Sequence, residues 1–332
     1  MPVSYKRYSF QGLRFSFHPV STHNNVCEYD TQLKQPSHPS IISKLDPEYV
    51  TFHEKYIQNM TPRDQLPWDP IPMRMSIPLG KKPLDVGKIE EFELKGGGHR
   101  KMMRAYTPIG EPLKTSWPVL IYFHGGGWTL GGLDNEQSII TNFCMGARCV
   151  VLSVDYRLAP ENKFPAAVDD AVEALQWVLM EGNNLLNADT SKIAVSGLSA
   201  GGNIAAALAL KSAEESFTPL LPCPTSTTTL IYMYFLTEKD WLKWEASPLL
   251  APRDLLVKAP KTWIGAGELD ILCNEAEAYA ERLRECGVDA ECVVYKGGTH
   301  VNFMIDGTMM KSGEKGIADA VEVLAKAFGT AD

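Results

Sequence analysis

The chain has 332 residues, enough for one large domain or two small ones, and its 45% hydrophobic and 22% charged residues are the balance of a globular protein with a sizeable core. The formal net charge is −8 and the isoelectric point about 5.5, with no Lys/Arg-dense run, which argues against a nucleic-acid-binding face. No stretch of about 18 apolar residues is present to span a bilayer.

The start, MPVSYKRYSFQGLRF, lacks the apolar stretch of a secretory leader, so the expected location is cytoplasmic, and Asn59-Met60-Thr61 is then a chance match to a glycosylation acceptor. The seven cysteines, Cys27, Cys144, Cys149, Cys223, Cys273, Cys286 and Cys292, are odd in number and lack CxxC spacing. Buried reduced thiols are the expectation, and no Cys/His cluster suggests a metal.

Residues 1 to about 44 show no period and read as an extension, either packed over the domain or partly disordered. LDPEYVTFHEKYIQNM predicts a helix with Asp46 as its cap and Pro47 in its first turn. TPRDQLPWDPIP reads as a connection. KIEEFEL and RKMMRAYTP predict two strands, joined as a hairpin by KGGGH. Beyond them the strands PVLIYF, CVVLSVD, KIAVSG, TLIYMYF, TWIGAG and ECVVYKG alternate with helical patterns near 134–147, 166–181, 199–213, 274–286 and 312–328. Strand then helix, repeated, predicts the α/β class: a mostly parallel sheet of about eight strands with helices on both faces.

In such a sheet ligands sit beyond the carboxyl ends of the strands. There the strand KIAVSG runs into Gly197-Leu198-Ser199-Ala200-Gly201, a G-x-S-x-G turn before an Ala-rich helix. A tight strand-to-helix turn strains the serine, exposes its Oγ and aims the helix N-terminus at it. By itself the pattern is also a small-residue packing turn.

A serine nucleophile needs a base, and the base an orienting acid. In this topology they follow in the order Ser, acid, His. His18, His23, His38, His53, His99 and His124 precede Ser199; only His300, in YKGGTH after a strand, follows it. Asp240, Asp254, Asp270 and Asp289 lie between. Asp270 is preferred because TWIGAGELD reads as strand, turn, acid; Glu268 is the fallback, and Asp240 and Asp289 read as solvated. The strand PVLIYF ends in His124-Gly125-Gly126-Gly127-Trp128, where glycines let backbone N–H groups approach a developing oxyanion; one such donor contributes about 3 kcal/mol. Ala200 N–H is a further donor. A phosphate cradle lacks both the Lys-Ser/Thr and the dinucleotide spacing it needs.

Together HGGGW, DYRLAPE (Asp155 to Glu161), FPAAVDD, GLSAGGN, SPLLAP, GELDIL and GGTHVNF resemble the hormone-sensitive-lipase-like family of α/β-hydrolases, from about Leu45 to the C-terminus. The resemblance implies an α/β-hydrolase fold, Ser199 as nucleophile, His300 as base, Asp270 as its orienter, and Gly125, Gly126, Gly127 and Ala200 around the oxyanion, most directly Gly126 and Gly127. It implies residues 1–85 as N-terminal extension and cap segment and 86–332 as catalytic domain, with a shortened cap insertion at about 221–250. Arg157 and Glu161 are expected to pair inside.

Three departures stand out: Leu198 where the family often has Asp, HVNF for the usual HGF, and the short segment before Ser247-Pro248. Trp128, Tyr156, Trp241 and Trp244 are either walls of a hydrophobic pocket or plain core. The implied activity is hydrolysis of carboxylic esters with short to medium acyl groups, or of a metabolite ester or lactone, through an acyl-enzyme, with no cofactor or metal. The partner is a small-molecule ester; a homodimer stays open. The alternatives are a non-hydrolytic elimination or cyclisation at the same site, and a non-catalytic small-ligand receptor.

Overall fold

The computed structural model describes residues 37–61, 68–69, 81–94, 101–215, 217, 220, 223–225, 234, 237–304 and 310–331. Cys27, the hairpin turn KGGGH apart from its neighbouring strands, and most of TPRDQLPWDPIP and TLIYMYF lie outside them.

Helices α1 (Pro39–Ile42) and α2 (Pro47–Phe52) open the described chain, α2 continuing into a wide turn at His53–Ile57. As expected, Asp46 caps α2, accepting the Glu48 N–H at 2.8 Å. Strands β1 (Lys88–Leu94) and β2 (Lys101–Thr107) pair antiparallel. Then come β3 (Trp117–Phe123), α3 (Gln137–Gly146), β4 (Val150–Val154), α4 (Ala166–Leu186), β5 (Ala188–Gly197), α5 (Ala200–Glu214), β6 (Cys223–Thr225), α6 (Arg253–Leu256), β7 (Thr262–Gly267), α7 (Cys273–Glu285), β8 (Ala290–Tyr295) and α8 (Lys311–Phe328). The described strands form one sheet in the order β1-β2-β4-β3-β5-β6-β7-β8, parallel from β4 to β8.

Burial explains the composition of the strands. Every residue of β3, β4 and β7 is buried, as parallel strands covered on both faces require. Alternate residues serve opposite cores. Val119, Ile121 and Phe123 meet α4 and α5, whereas Leu120 and Tyr122 meet α3 and α8. A third cluster joins α5, α6 and α7 to β7 through Leu210, Leu256, Ile264 and Leu283. The exposed edge strand β1 carries Lys88, Glu90, Glu91 and Glu93, charges that discourage pairing with another chain.

One strand differs from expectation. The place between β5 and β7 is taken by Cys223–Thr225, upstream of TLIYMYF. Tyr234, the described residue of that run, is fully buried in a helical conformation, its ring stacked on Trp128 at 4.5 Å between centroids. Aromatic packing rather than β pairing uses this side chain.

Candidate active site

The elbow at Ser199 follows from two glycines. A Cβ on Gly201 would lie 1.9 Å from the Phe123 carbonyl oxygen, and one on Gly197 would lie 2.3 Å from the carbonyl carbon of Gly201. The end of β5, the start of α5 and the end of β3 therefore meet backbone to backbone, which side chains at 197 and 201 would prevent. Between them Ser199 takes φ 61° and ψ −124°, a strained conformation for a residue with a Cβ. It stands at the N-terminus of α5, whose partial positive charge faces the hydroxyl.

Two further strands deliver the other groups. Asp270 follows β7, and His300 lies on the loop after β8. His300 Nε2 is 3.2 Å from Ser199 Oγ, and His300 Nδ1 is 2.7 Å from Asp270 Oδ2. The carboxylate's other oxygen accepts the Leu272 N–H at 2.9 Å, which fixes the carboxylate in place. Since an ionised carboxylate only accepts, this fixes the proton on Nδ1 and leaves Nε2 to accept from the serine. Asp270 and Ser199 are buried, and the imidazole keeps 25% of its surface.

The other acids stand elsewhere. Glu268 accepts the Gly297 N–H at 2.8 Å. Asp289 is exposed and pairs with Lys261, and Asp254 is exposed on α6. Asp240, expected to be solvated, is buried: it accepts from the N–H and hydroxyl of Thr237 and pairs with Lys243 at 2.7 Å, because it caps the turn Glu238–Leu242. Those hydrogen bonds, led by that from Lys243, hold its carboxyl below the usual range.

The loop that carries His300 is braced by the start of the described chain. Asp46 N–H donates to the Gly297 carbonyl at 3.0 Å, and the Lys311 N–H donates to Glu48 at 2.7 Å. Ser312 lies 3.1 Å from Asp46 and 2.9 Å from the buried Asn302 of HVNF.

The glycine loop follows β3. Gly126 has φ +119°, and a Cβ there would lie 2.2 Å from the Leu130 carbonyl oxygen, so only glycine fits. Among the described residues no protein acceptor engages the N–H of Gly126, Gly127 or Ala200. Gly125 is a correction: its N–H donates to Glu136 Oε1 at 2.9 Å and is not available to an oxyanion.

The loop is pinned from below. His124 Nδ1 lies 2.7 Å from the Gly125 carbonyl, and the Tyr156 hydroxyl donates to the His124 carbonyl at 2.8 Å. The two rings stack at 4.3 Å. Burial pushes the His124 pKa down to about 4, so the ring is neutral near pH 7 and Nδ1 carries the proton it donates. Tyr156 is therefore a fully buried support of this loop, not a wall open to a substrate. Trp128, with φ 59°, is buried against Tyr234. Trp241 packs half-buried at the margin of the first core cluster, and Trp244 lies beneath Lys211.

Arg157 also departs from expectation. Its carboxylate partner is Asp170, through the backbone N–H at 2.8 Å and Nε at 2.9 Å, rather than Glu161. The buried Lys101 shares Asp170 at 3.2 Å and contacts Glu173. Asp170 lies on α4 beneath the segment 155–161, so α4 anchors Tyr156 and through it the glycine loop. Leu198, where the family often has Asp, is buried on an apolar cavity of about 40 Å³ with Tyr122, Phe143, Trp263, Phe303 and Ile317. An unpaired carboxylate there would be costly.

Glu136, Tyr122, Asp170 and Lys101 were not singled out in the sequence. The signal available for Glu136 was an acid soon after a glycine loop, in DNEQ, with no period to mark it.

Comparison with known proteins agrees with this geometry. A family model described as alpha/beta hydrolase fold matches residues 120–232 and 216–304, which contain Ser199, Asp270 and His300. An AB hydrolase superfamily protein of Schizosaccharomyces pombe is 34% identical over 333 residues, spanning 88% of this chain and 97% of its own. An arylesterase of Saccharolobus solfataricus is 31% identical over 285 residues, 77% of this chain and 91% of its own. The solved structure of an alpha/beta hydrolase enzyme from the metagenome of Lake Arreo, Spain, superposes with a TM-score of 0.78 at 26% identity, over 87% of this chain and all of that one. Motif order, sheet topology and these matches agree, and the chain belongs to the hormone-sensitive-lipase-like family of α/β-hydrolase carboxylesterases.

Proposed function

We propose that the chain is a serine hydrolase of carboxylic esters, with Ser199 as nucleophile, His300 as base and Asp270 as the group that orients the base. The observation that carries this reading is the single imidazole bridging the Ser199 hydroxyl at 3.2 Å and the Asp270 carboxylate at 2.7 Å. As Oγ attacks the ester carbonyl, His300 Nε2 takes its proton and Asp270 stabilises the imidazolium. The N–H groups of Gly126, Gly127 and Ala200 receive the oxyanion. His300 then protonates the leaving alcohol, the acyl-enzyme forms, and water activated by the same histidine releases the acid.

The substrates are esters with short to medium acyl groups, or a metabolite ester or lactone. The arylesterase relative supports the use of aryl esters as assay substrates. The receptor reading is disfavoured because a base stands within hydrogen-bonding distance of the serine. A cytoplasmic location belongs to the same reading, and no helix among the described residues is long and apolar enough to cross a membrane. A homodimer is tested by sedimentation.

The deciding experiment is labelling with a fluorophosphonate followed by peptide mapping. Label on Ser199, lost in His300→Ala, together with turnover of p-nitrophenyl butyrate abolished by Ser199→Ala, supports the proposal. Label elsewhere, or turnover that survives Ser199→Ala, refutes it.

A further inference from the structure

The residue before α3 carries an acid that the reaction does not use. Glu136 has φ 59°, a left-handed backbone that glycine or asparagine adopts more easily. What the glutamate adds is its side chain, turned under the glycine loop. Oε1 accepts the Gly125 N–H at 2.9 Å, and Oε2 accepts the Tyr122 hydroxyl at 2.7 Å. The fit is close: a Cβ on Gly125 would lie 3.0 Å from Oε1, 3.1 Å from the Leu198 carbonyl oxygen and 3.3 Å from the Ser199 Cβ. Carboxyl, glycine and nucleophile are thus packed against one another.

These bonds control two successive peptide planes. In the His124–Gly125 unit the N–H is held by Glu136 and the C=O by the Tyr156 hydroxyl, so both edges are fixed. In the Gly125–Gly126 unit the C=O is held by His124 Nδ1. A trans peptide points its N–H opposite its C=O, so the Gly126 N–H is directed away from the imidazole. Glycines have no side chains to resist rotation, so without these tethers the planes would be free to turn.

We propose that Glu136 is a positioning residue for the oxyanion loop: bracketed by Tyr122, it clamps the Gly125 N–H and so keeps the Gly126 N–H aimed at the developing oxyanion, while the next plane, which carries the Gly127 N–H, is held at its Gly126 carbonyl by the Leu130 N–H at 2.9 Å. The inference rests on the hydrolase reading above. The required group at position 136 is an acceptor, not a charge. A glutamine fits the same place, its oxygen on Gly125 and its NH2 donating to the Tyr122 oxygen. A negative charge close to an oxyanion opposes it, and burial pushes the Glu136 pKa up to about 7, which lowers the charge carried.

The test compares Glu136→Ala, Glu136→Gln and Tyr122→Phe with the wild type, each checked for folding by circular dichroism. The readouts are kcat and KM on p-nitrophenyl butyrate and Ki for an aliphatic trifluoromethyl ketone, which mimics the tetrahedral oxyanion. Glu136→Ala is expected to lower kcat about 10- to 100-fold with KM within about threefold, less than the loss of a whole oxyanion donor. Its Ki should rise by the factor by which kcat/KM falls, since both report transition-state binding. Glu136→Gln should rescue to within about threefold of wild type. Tyr122→Phe should lose about 3- to 10-fold with the same parallel in Ki, and it decides the matter if Glu136→Ala does not fold.

Equal losses in the Gln and Ala variants, a fall in kcat with Ki unmoved, or an unaltered Tyr122→Phe would overturn the proposal. Fluorophosphonate label on wild-type Ser199 with unaltered variants refutes this inference alone. Absence of that label refutes the underlying reading and this inference with it.

Discussion

Replacing Asp270 by asparagine tests the orientation of the base more sharply than deleting it. Asp270 Oδ1 accepts the Leu272 N–H at 2.9 Å, while Oδ2 faces His300 Nδ1 at 2.7 Å. An amide has one acceptor. The oxygen belongs on Leu272, because turning it away orphans a buried N–H at a cost of about 1–3 kcal/mol. The NH2 then faces Nδ1 and makes it an acceptor, which moves the ring proton to Nε2, where it cannot receive the proton of Ser199. That bias excludes the productive tautomer by roughly 10- to 100-fold at 1.36 kcal/mol per decade. Losing the charge-assisted bond to the imidazolium removes about 1.5–3 kcal/mol more. Together kcat should fall about 10³-fold at pH 8, with KM little changed, measured on p-nitrophenyl butyrate. Asp270→Ala, which presents no donor to the ring, should lose less. An Asp270→Asn variant that keeps more than a tenth of wild-type kcat would refute this account of the tautomer.

Three further outcomes are expected. Gly201→Ala places its Cβ against two backbone carbonyls, so nothing can rotate away; a loss of roughly 3 kcal/mol in urea unfolding and more than about 100-fold in kcat should follow. Asp170→Asn strips a buried carboxylate from Arg157 and the buried Lys101 and should cost about 3–5 kcal/mol by the same unfolding assay. The third concerns pH. Burial raises Glu136 from 4.5 to about 7, so the folded state binds the extra proton and stability from this group falls as pH rises from 4.5 to 7. Burial lowers His124 from 6.5 to about 4, so the unfolded state binds the extra proton and stability from this group rises from pH 4 to 6.5. The two slopes largely cancel in the wild type. Glu136→Gln removes the first, so urea unfolding should show stability climbing by about 2 kcal/mol more than wild type between pH 4 and 6.5. Parallel curves for the two proteins would refute the assignment.

The meeting of Ser199, Asp270 and His300 was legible because few residues could take those places. Only one histidine follows the serine, and the turn G-x-S-x-G is dictated by backbone contacts that any side chain at 197 or 201 would break. Helices α4, α7 and α8 were legible because their apolar faces repeat at the helical period, and α5, buried all round from Ala200 to Leu210, because an Ala-rich run follows the turn. What escaped were partnerships across loops. Gly125 was indistinguishable from its neighbours until Glu136, eleven residues on, was seen to occupy its N–H. Arg157 was given the acid within its own motif, although α4 brings Asp170 closer. TLIYMYF has the composition of a strand, yet Tyr234 packs on Trp128, a contact that local propensity does not encode.

The brace under the His300 loop has a consequence for when the site comes into being. Asp46 and Glu48 precede every described strand of the sheet and Gly297 and Lys311 follow all of them, yet Asp46 bonds to Gly297 and Glu48 to Lys311, 263 residues on. The elbow and the glycine loop lie within the central sheet between these two segments, whereas the loop that carries His300 leans on both. Seating the loop therefore draws on contacts of very long sequence separation, whose closure entropy makes them slow to form. A variant that weakens the brace should leave the central sheet folded while the imidazole loses its seat.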